Sequence, residues 1–261
     1  MLQKMLLHIE QGKPVNYQKL LQLLPPAFYQ QRQQLFKVNS RGAGKWQVQV
    51  ADAALFAQLK QSALAPADRI TASWQGDSHQ APTSHSFLLV YHDQLSHDRP
   101  DLVLAAGSNT VSLSYDFTAK PALVLIENEE NFFAYSQVLR LSSQMLAKPF
   151  SLSCCDVALA AGSRIGSALL TPFLQQYQQI WCAFDFDAAG LEIFDHLHKR
   201  YGTAVQLVCP PELTPWQHGF RANAKPAQLE KALALAEQHR LFGLAAAFRQ
   251  HKAFLEQEIL L

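Results

Sequence analysis

The sequence predicts an α/β protein, with a helical N-terminal segment ending in a hairpin and a C-terminal segment built on a mostly parallel sheet. Apolar residues recur at helical spacing near the N-terminus, and four short apolar runs alternate with helical patterns after residue 120. Charge is also divided unevenly, because residues 1–60 have a net charge of +6 and the remainder has −5. A basic segment joined to an acidic body is typical of a protein with a phosphate-facing module and a metal-binding module.

Composition excludes several classes of protein. The 261 residues are 49% hydrophobic and 16% charged, which is enough apolar material for a core and does not indicate bulk disorder. No apolar run reaches the roughly 18 residues needed to span a bilayer, and the N-terminus turns polar too soon for a signal peptide. The four cysteines form no CxxC pair. We therefore expect a cytoplasmic protein with reduced thiols and no membrane partner.

The first 50 residues predict three short helices and a hairpin. Helical spacing covers residues 2–11, a second helix starts at the N-cap Asn16 and ends at Leu24, and a third spans roughly 27–37. Residues 39–45 form a turn rich in glycine and cations, and 46–50 alternate apolar and polar side chains as a strand does.

Three helices followed by a basic hairpin form a winged-helix pattern, in which the third helix enters a DNA groove and the hairpin touches phosphates. The expected nucleic-acid contacts are Arg32, Lys37, Arg41 and Lys45. Short three-helix units also dock proteins, so residues 1–64 are predicted to bind DNA or a partner.

The middle of the chain is less regular. Residues 53–62 predict a helix, and residues 65–86 mix Pro, Ser, Gly, Asp and His as a linker or long loop does. Residues 87–91 predict a strand, and a hairpin is one interpretation of 102–117. The segment 65–118 is therefore a linker or an extension whose placement stays open.

The C-terminal segment, residues 119–261, alternates strands and helices. Its apolar runs cover residues 122–126, 156–160, 180–184 and 204–208, and helical patterns follow the first three, the second of them reaching Tyr177. This rhythm predicts a parallel sheet buried on both faces. Ligand sites in such sheets lie at the carboxyl ends of the strands, where Glu127, Gly162, Asp185 and Asp187 fall.

The acidic residues at these strand ends indicate a cation site. Asp185 and Asp187 are two residues apart, so their side chains point the same way, and two close carboxylates repel unless a proton or cation separates them. Mg²⁺ suits such oxygen ligands, and Glu127 would complete the site as a ligand or general base if its strand is a neighbour. A lone pair of this kind also occurs as a helix cap or as solvated loop acids. Arg164 is expected to touch a phosphate from a helix N-terminus.

Three stretches carry a resemblance to a known family: residues 124–132, 184–193 (with the pattern DxDxxG) and 255–258. They resemble the Toprim fold, a Rossmann-like domain with a mostly parallel sheet, found in topoisomerases, primases and related nucleases. Within that group the chain is most similar to the topoisomerase VI A-subunit branch and to the nuclease subunits of Wadjet-type plasmid-defence systems, the JetD or MksG family. The resemblance covers about residues 120–261.

The resemblance implies a Mg²⁺- or Mn²⁺-dependent endonuclease that cleaves double-stranded plasmid DNA. Glu127 would be catalytic, Asp185 and Asp187 would bind metal, and Glu258 would be a further acid of the metal site. It also implies a homodimer acting with an SMC-like condensin (MukBEF-like) complex. This chain has Ala188 where the topoisomerase branch usually has proline, and it is shorter than typical Wadjet nucleases.

Two other functions stay open on the sequence. One is a DNA-binding or scaffold protein that keeps a Toprim shell without catalysis. The other is a topoisomerase-like transesterase, which needs a tyrosine nucleophile in the N-terminal domain, where Tyr17 and Tyr29 lie.

Overall fold

The computed structural model describes residues 1–42, 44–63, 83–107 and 110–260. The chain divides into two compact units, Met1–Thr83 and Ser84–Leu261. The predicted mixed α/β architecture is confirmed, with a seven-stranded sheet in the second unit. Within the described ranges, no helix combines the length and the apolar character that a membrane span requires.

The described residues of the first unit, 1–42, 44–63 and 83, include five short helices and one hairpin. Its elements are α1 (Leu2–Glu10), α2 (Tyr17–Leu23), α3 (Pro26–Gln30), α4 (Arg32–Leu35), β1 (Phe36–Ser40), β2 (Trp46–Val50) and α5 (Ala53–Ser62). The predicted N-cap of α2 is present, because the Asn16 side chain accepts a hydrogen bond from the Lys19 N–H at 3.0 Å. Asp52 caps α5 in the same way through the Leu55 N–H at 2.9 Å. Such caps satisfy donors that the first turn of a helix leaves unpaired.

The prediction of one long third helix over residues 27–37 is wrong. Two short helices, α3 and α4, take its place, and the chain enters β1 at Phe36. Phe36 and Val38 pair with Val50 and Val48 across the hairpin, and this pairing outweighs the local helical spacing. Lys37, between them, is therefore an exposed residue of the hairpin rather than of a helix.

The hairpin packs against the helices through one apolar cluster. Leu6, Leu20, Leu35, Val48 and Leu59 are each at most 1% exposed and come from α1, α2, α4, β2 and α5. At the other end of the hairpin, the Arg41 N–H donates to the Lys45 carbonyl at 2.9 Å, which closes the turn. The exposed cationic residues of the hairpin therefore extend from a unit with its own core.

A seven-stranded sheet organises the second unit. Its strands are β3 (His85–Tyr91), β4 (Asp101–Ala106), β5 (Ser112–Ser114), β6 (Ala122–Ile126), β7 (Cys155–Leu159), β8 (Gln179–Ala183) and β9 (Val205–Leu207), in the spatial order β5-β4-β3-β7-β6-β8-β9. The last four are parallel to one another, and the first three form an antiparallel extension. The described part of residues 84–118, whose placement the sequence left open, thus belongs to this sheet.

Helices cover the two faces of the parallel strands separately. The helices are α6 (Glu129–Phe133), α7 (Tyr135–Leu146), α8 (Thr171–Leu174), α9 (Ala188–Tyr201), α10 (Pro226–Gln238) and α11 (Phe242–His251). One core joins α6 and α7 to Val124 and Ile126 of β6. The other core contains residues of the helices α8, α9, α10 and α11, which pack against Leu123 and Leu125 of the same strand. Strand β6 is therefore buried on both sides, as its fully apolar sequence predicts.

The strand order creates a switch point beside β6. The chain runs from β6 to β7 on one side and then crosses to β8 on the other. The helices after β6 cover one face, and the helix after β8 covers the opposite face. The connections leaving β6 and β8 therefore diverge, and ligand crevices form at such points in parallel sheets.

The predicted helix from Gly162 to Tyr177 is wrong. Two 3-10 turns, Gly162–Gly166 and Ala168–Leu170, are followed by the four-residue α8. Ser167 has extended backbone angles (φ −58°, ψ 133°), and its side chain accepts a hydrogen bond from the Leu169 N–H. The first 3-10 turn therefore ends before Ser167, which caps the next turn, and the segment does not continue as one helix.

A second, two-stranded sheet lies near the end of the chain. Its strands, β10 (Phe220–Asn223) and β11 (Ala253–Leu255), pair antiparallel, and a 3-10 turn follows at Gln257–Leu260. Leu255 also pairs with Phe186, which follows β8. The C-terminal segment is thereby attached to the carboxyl edge of the main sheet.

Candidate active site

The switch point brings two acidic residues into contact. Ile126 of β6 is in register with Ala183 of β8, and the Glu127 N–H donates to the Ala183 carbonyl at 3.3 Å. The Asp185 N–H in turn donates to Glu127 Oε2 at 3.2 Å. Glu127 and Asp185, 58 positions apart in the chain, therefore lie side by side at the crevice.

A buried phenylalanine fixes the direction of the two aspartates. Phe186 is fully buried, and its backbone exchanges two hydrogen bonds with Leu255, of 2.9 and 3.2 Å. Side chains alternate in paired extended backbone, so Asp185 and Asp187 lie on the side opposite Phe186. The two-residue spacing thus places both carboxyl groups at the same edge.

Each aspartate uses one carboxylate oxygen to hold the local fold. Asp187 Oδ1 accepts from the Gly190 N–H at 2.7 Å and caps α9, and Asp185 Oδ1 accepts from the Gln257 N–H at 2.8 Å. The reading of Asp187 as a helix cap, which the sequence left open, is therefore correct, and it does not exclude a cation on the second oxygen.

Glu258 reaches the same edge from the end of the chain. Its Oε1 accepts a hydrogen bond from Nδ2 of Asn128, the residue after Glu127. Asn128 also caps α6, because its Oδ1 accepts from the Asn131 N–H at 2.9 Å. Asn128 was not among the site residues predicted from the sequence. Its position between a strand-end acid and an acidic helix start, which is typical of an N-cap, was the available signal.

Glycine is required at position 190 because the backbone there passes close to the acids. A Cβ at Gly190 would lie 2.4 Å from the Asp185 carbonyl oxygen and 3.0 Å from Glu127 Oε2. No real side chain tolerates the first distance without movement of the backbone. The glycine of the DxDxxG pattern therefore allows α9 to start against the site.

Burial and mutual repulsion raise the pKa of two of the acids. Burial raises the pKa of Glu127 to about 7, with the charges of Asp185, Asp187 and Glu258 acting in the same direction and the Asp185 N–H opposing them. Burial also raises the pKa of Asp185 to about 6, against the Gln257 N–H. Negative charge is thus crowded at this edge, a condition that protons or a cation relieve.

The donor set suits a hard cation, although the acids do not surround one point. Carboxylate oxygens are the ligands that Mg²⁺ and Mn²⁺ take in proteins. Within the described residues, no group of three or more His, Cys, Asp or Glu side chains is gathered closely enough to hold a metal ion. Binding would therefore require carboxyl rotations around the Glu127–Asp185 contact, with water and phosphate completing the coordination.

The proposed DNA contacts of the first unit lie on or beside its hairpin. Lys37, Arg41 and Lys45 are exposed, on β1 and in the turn. Arg32 is half-buried at the start of α4, where its Nη1 donates to the Tyr29 carbonyl at 3.0 Å and its guanidinium stacks on the Tyr29 ring. Among the residues that the structure describes, no aromatic ring stacks on the hairpin cations, whereas Arg32 is partly engaged by Tyr29.

Arg164 lies in the 3-10 turn that follows β7, in the second unit. Its guanidinium carbon is 4.6 Å from the centroid of the Phe87 ring, and both side chains are exposed. The turn has five residues, so the expected long helix N-terminus is not present there. An exposed cation on an aromatic ring still suits a phosphate or a base.

The two tyrosines considered as nucleophiles have different surroundings. Tyr17 packs against Phe36 and Trp46, with ring centroids 6.5 and 6.1 Å apart, and burial raises the pKa of its hydroxyl. A nucleophile is activated by the opposite change. Tyr29 is 43% exposed beneath Arg32. Packing explains Tyr17, and its environment does not favour a transesterase.

Comparisons with models of protein families, with curated proteins and with solved structures found no match for this chain.

Proposed function

We propose that this chain is a Mg²⁺- or Mn²⁺-dependent endonuclease that hydrolyses phosphodiester bonds in double-stranded DNA. The observation that carries the proposal is the contact between Glu127 and Asp185 at the switch point of a parallel sheet, with Asp187 beside them. The residues of this contact belong to the stretches that resemble Toprim nucleases. The second unit is accordingly proposed as a Toprim domain and the first as a winged-helix domain.

The chain's own residues supply positioning and proton transfer. Asp185, Asp187, Glu127 and Glu258 would hold the metal, which when bound neutralises phosphate charge and activates a water molecule. Glu127, with a pKa near 7, is divided between its protonated and ionised forms at neutral pH. It is thus suited to take a proton from an attacking water or to give one to a leaving oxygen.

The basic hairpin of the first unit is proposed to hold the DNA backbone. Residues 1–60 have a net charge of +6, and Lys37, Arg41 and Lys45 are exposed on one hairpin. Contacts of lysine and arginine with phosphates provide affinity without sequence preference. Arg32 and Arg164 are proposed as additional contacts. The family resemblance extends the proposal to a homodimer that serves an SMC/condensin-like complex in plasmid defence.

Plasmid nicking tests the proposal directly. Supercoiled plasmid is incubated with Mg²⁺ or Mn²⁺ and the wild type, Glu127→Gln, Asp185→Asn or the control Glu130→Gln, an exposed acid two residues into α6. We expect cleavage by the wild type and the control and its loss in the two site variants, because removal of one acidic group from such a site lowers the rate by orders of magnitude. The experiment is repeated with the condensin partners present.

Metal binding provides a second, independent measurement. Electron paramagnetic resonance of Mn²⁺ should show binding to the wild type and the Glu130→Gln control, and weaker binding to Asp185→Asn. Equal Mn²⁺ binding by all variants, together with equal nicking, would contradict the proposal. DNA binding without Mn²⁺ binding and without nicking would favour a non-catalytic scaffold.

A further inference from the structure

A groove opens beside the acidic site, on the face of the sheet that α9 covers. Its volume is about 690 Å³, within the range of small-molecule sites. One wall is the 3-10 turn Gly162–Gly166, and the other is the exposed side of the first turns of α9. Glu127 lines the end nearest the acids. The groove is therefore continuous with the proposed reaction site.

The two walls of the groove are attached to each other. Arg200, near the end of α9, donates from Nη1 to the Gly166 carbonyl at 2.8 Å. The His196 ring lies against Gly166 so closely that a Cβ there would be 3.2 Å from it. The Gly166 backbone thereby limits movement of the ring, and the two walls of the groove are fixed relative to each other.

The lining suits a neutral, partly aromatic group better than an anion. Ala189 and Ile193 provide apolar surface above the fully buried Ile165, and Ser163 and His196 provide a hydroxyl and a flat ring. The charged groups of the lining are two carboxylates, Glu127 and Glu192, the second of which pairs with Lys231. A second phosphate would be repelled here, whereas a base can stack on the imidazole and a sugar can pack on the aliphatic side chains.

We propose that this groove receives the base and sugar of an unpaired nucleotide adjacent to the scissile phosphate. The inference rests on the proposed nuclease function and adds a substrate class to it. A phosphate at Glu127 and Asp185 would place its own nucleoside at the mouth of the groove, because the sugar is bonded to that phosphate and Glu127 lines both the groove and the acidic site. A paired base lies inside the duplex and must leave the stack to enter. The enzyme therefore prefers DNA whose base is already unpaired.

Cleavage of matched duplexes tests the substrate preference. One labelled duplex is fully paired, and the other carries a single unpaired adenine. We expect the wild type to cut beside the unpaired adenine at least about tenfold faster, because the paired duplex must first open a base pair. Ile193→Trp fills the groove and should reduce this ratio to near one. The control Leu229→Trp, at a half-buried position of α10 outside the groove, should keep it.

A binding measurement separates this inference from the proposed function. The unpaired adenine is replaced by 2-aminopurine, whose fluorescence reports stacking, and the duplex is bound to Asp185→Asn protein, for which no cleavage is expected. The same measurement is made on two double variants, Asp185→Asn with Ile193→Trp and Asp185→Asn with Leu229→Trp. A fluorescence change that is lost in the first double variant and kept in the second supports binding of the base in the groove, even if no plasmid is ever nicked. Equal cleavage of the two duplexes, or a fluorescence change that survives Ile193→Trp, overturns the inference while leaving nuclease activity intact.

Discussion

Replacement of Glu127 by glutamine should stabilise the metal-free protein at alkaline pH. Glutamine has nearly the same shape and keeps an oxygen for the Asp185 N–H, so the substitution removes mainly the charge. The pKa of Glu127 rises from 4.5 to about 7 on folding, so protonation favours the folded state. The contribution of the wild-type carboxyl to stability is therefore complete below pH 4.5 and is lost as the pH rises through about 7.

The size of the effect follows from the pKa change. One pKa unit corresponds to about 1.4 kcal/mol, so Glu127→Gln should gain about 2–3 kcal/mol at pH 8 after allowance for partial exposure to water. That is roughly 5–10 °C in melting temperature for a unit of this size. At pH 4.5 the gain should be small, because the wild-type carboxyl is then protonated in the folded state. Asp185, whose pKa rises to about 6, should leave some pH dependence in the variant.

Thermal and urea unfolding at several pH values measure this difference. Glu130→Gln, an exposed acid on α6, is the control and should change stability by no more than about 0.5 kcal/mol at any pH. Addition of Mg²⁺ should stabilise the wild type at pH 8 and have less effect on Glu127→Gln, because ligands stabilise the state that binds them. A lower stability of Glu127→Gln than of the wild type at pH 8, or an equal gain at pH 4.5 and pH 8, would refute this prediction.

Substitutions at three further places test other parts of the molecule. Gly190→Ala should lower stability by about 1–3 kcal/mol in urea unfolding and weaken Mn²⁺ binding, because the new Cβ meets the Asp185 carbonyl; unchanged Mn²⁺ affinity would show that the close approach is not needed. The pair Lys37→Ala and Lys45→Ala should weaken DNA binding equally for all sequences and reduce the slope of log K against log salt by about 2, as measured by fluorescence anisotropy. A slope equal to that of the wild type would remove the hairpin from the DNA interface. Asp52→Ala should destabilise the first unit by about 1 kcal/mol through loss of the α5 cap, in a thermal melt of the full chain, and Asp52→Asn should retain most of that stability.

The parallel core and the helix after it were predictable because their signals are local. The apolar run 122–126 coincides with β6, and the DxDxxG segment leads into α9 as its capping residue and glycine indicate. Strands buried on both faces have continuous apolar sequences, which few other structures require. The contact between Glu127 and Asp185 follows from that topology, since the carboxyl ends of neighbouring parallel strands share an edge.

The failed predictions depended on interactions that the local sequence does not show. Phe36 and Val38 fit a helix as well as a strand, and only their pairing with residues of β2 decides between them. The segment after Gly162 has helical spacing, but Ser167 turns its side chain to the backbone and divides it. The pairing of Phe186 with Leu255 joins residues that no short window of sequence contains, so the C-terminal attachment could not be derived.

That attachment makes the acidic edge dependent on the closure of a long loop. The Gln257 N–H that donates a hydrogen bond to Asp185 lies 72 positions away from it in the chain. Glu258 lies on the same 3-10 turn as Gln257. A partly folded chain with the parallel strands in place but this tail undocked would hold repelling acids without their donor and without the fourth carboxylate. The acidic edge is therefore complete only in the finished fold, because release of the C-terminal turn would remove both the Gln257 donor and Glu258 from it.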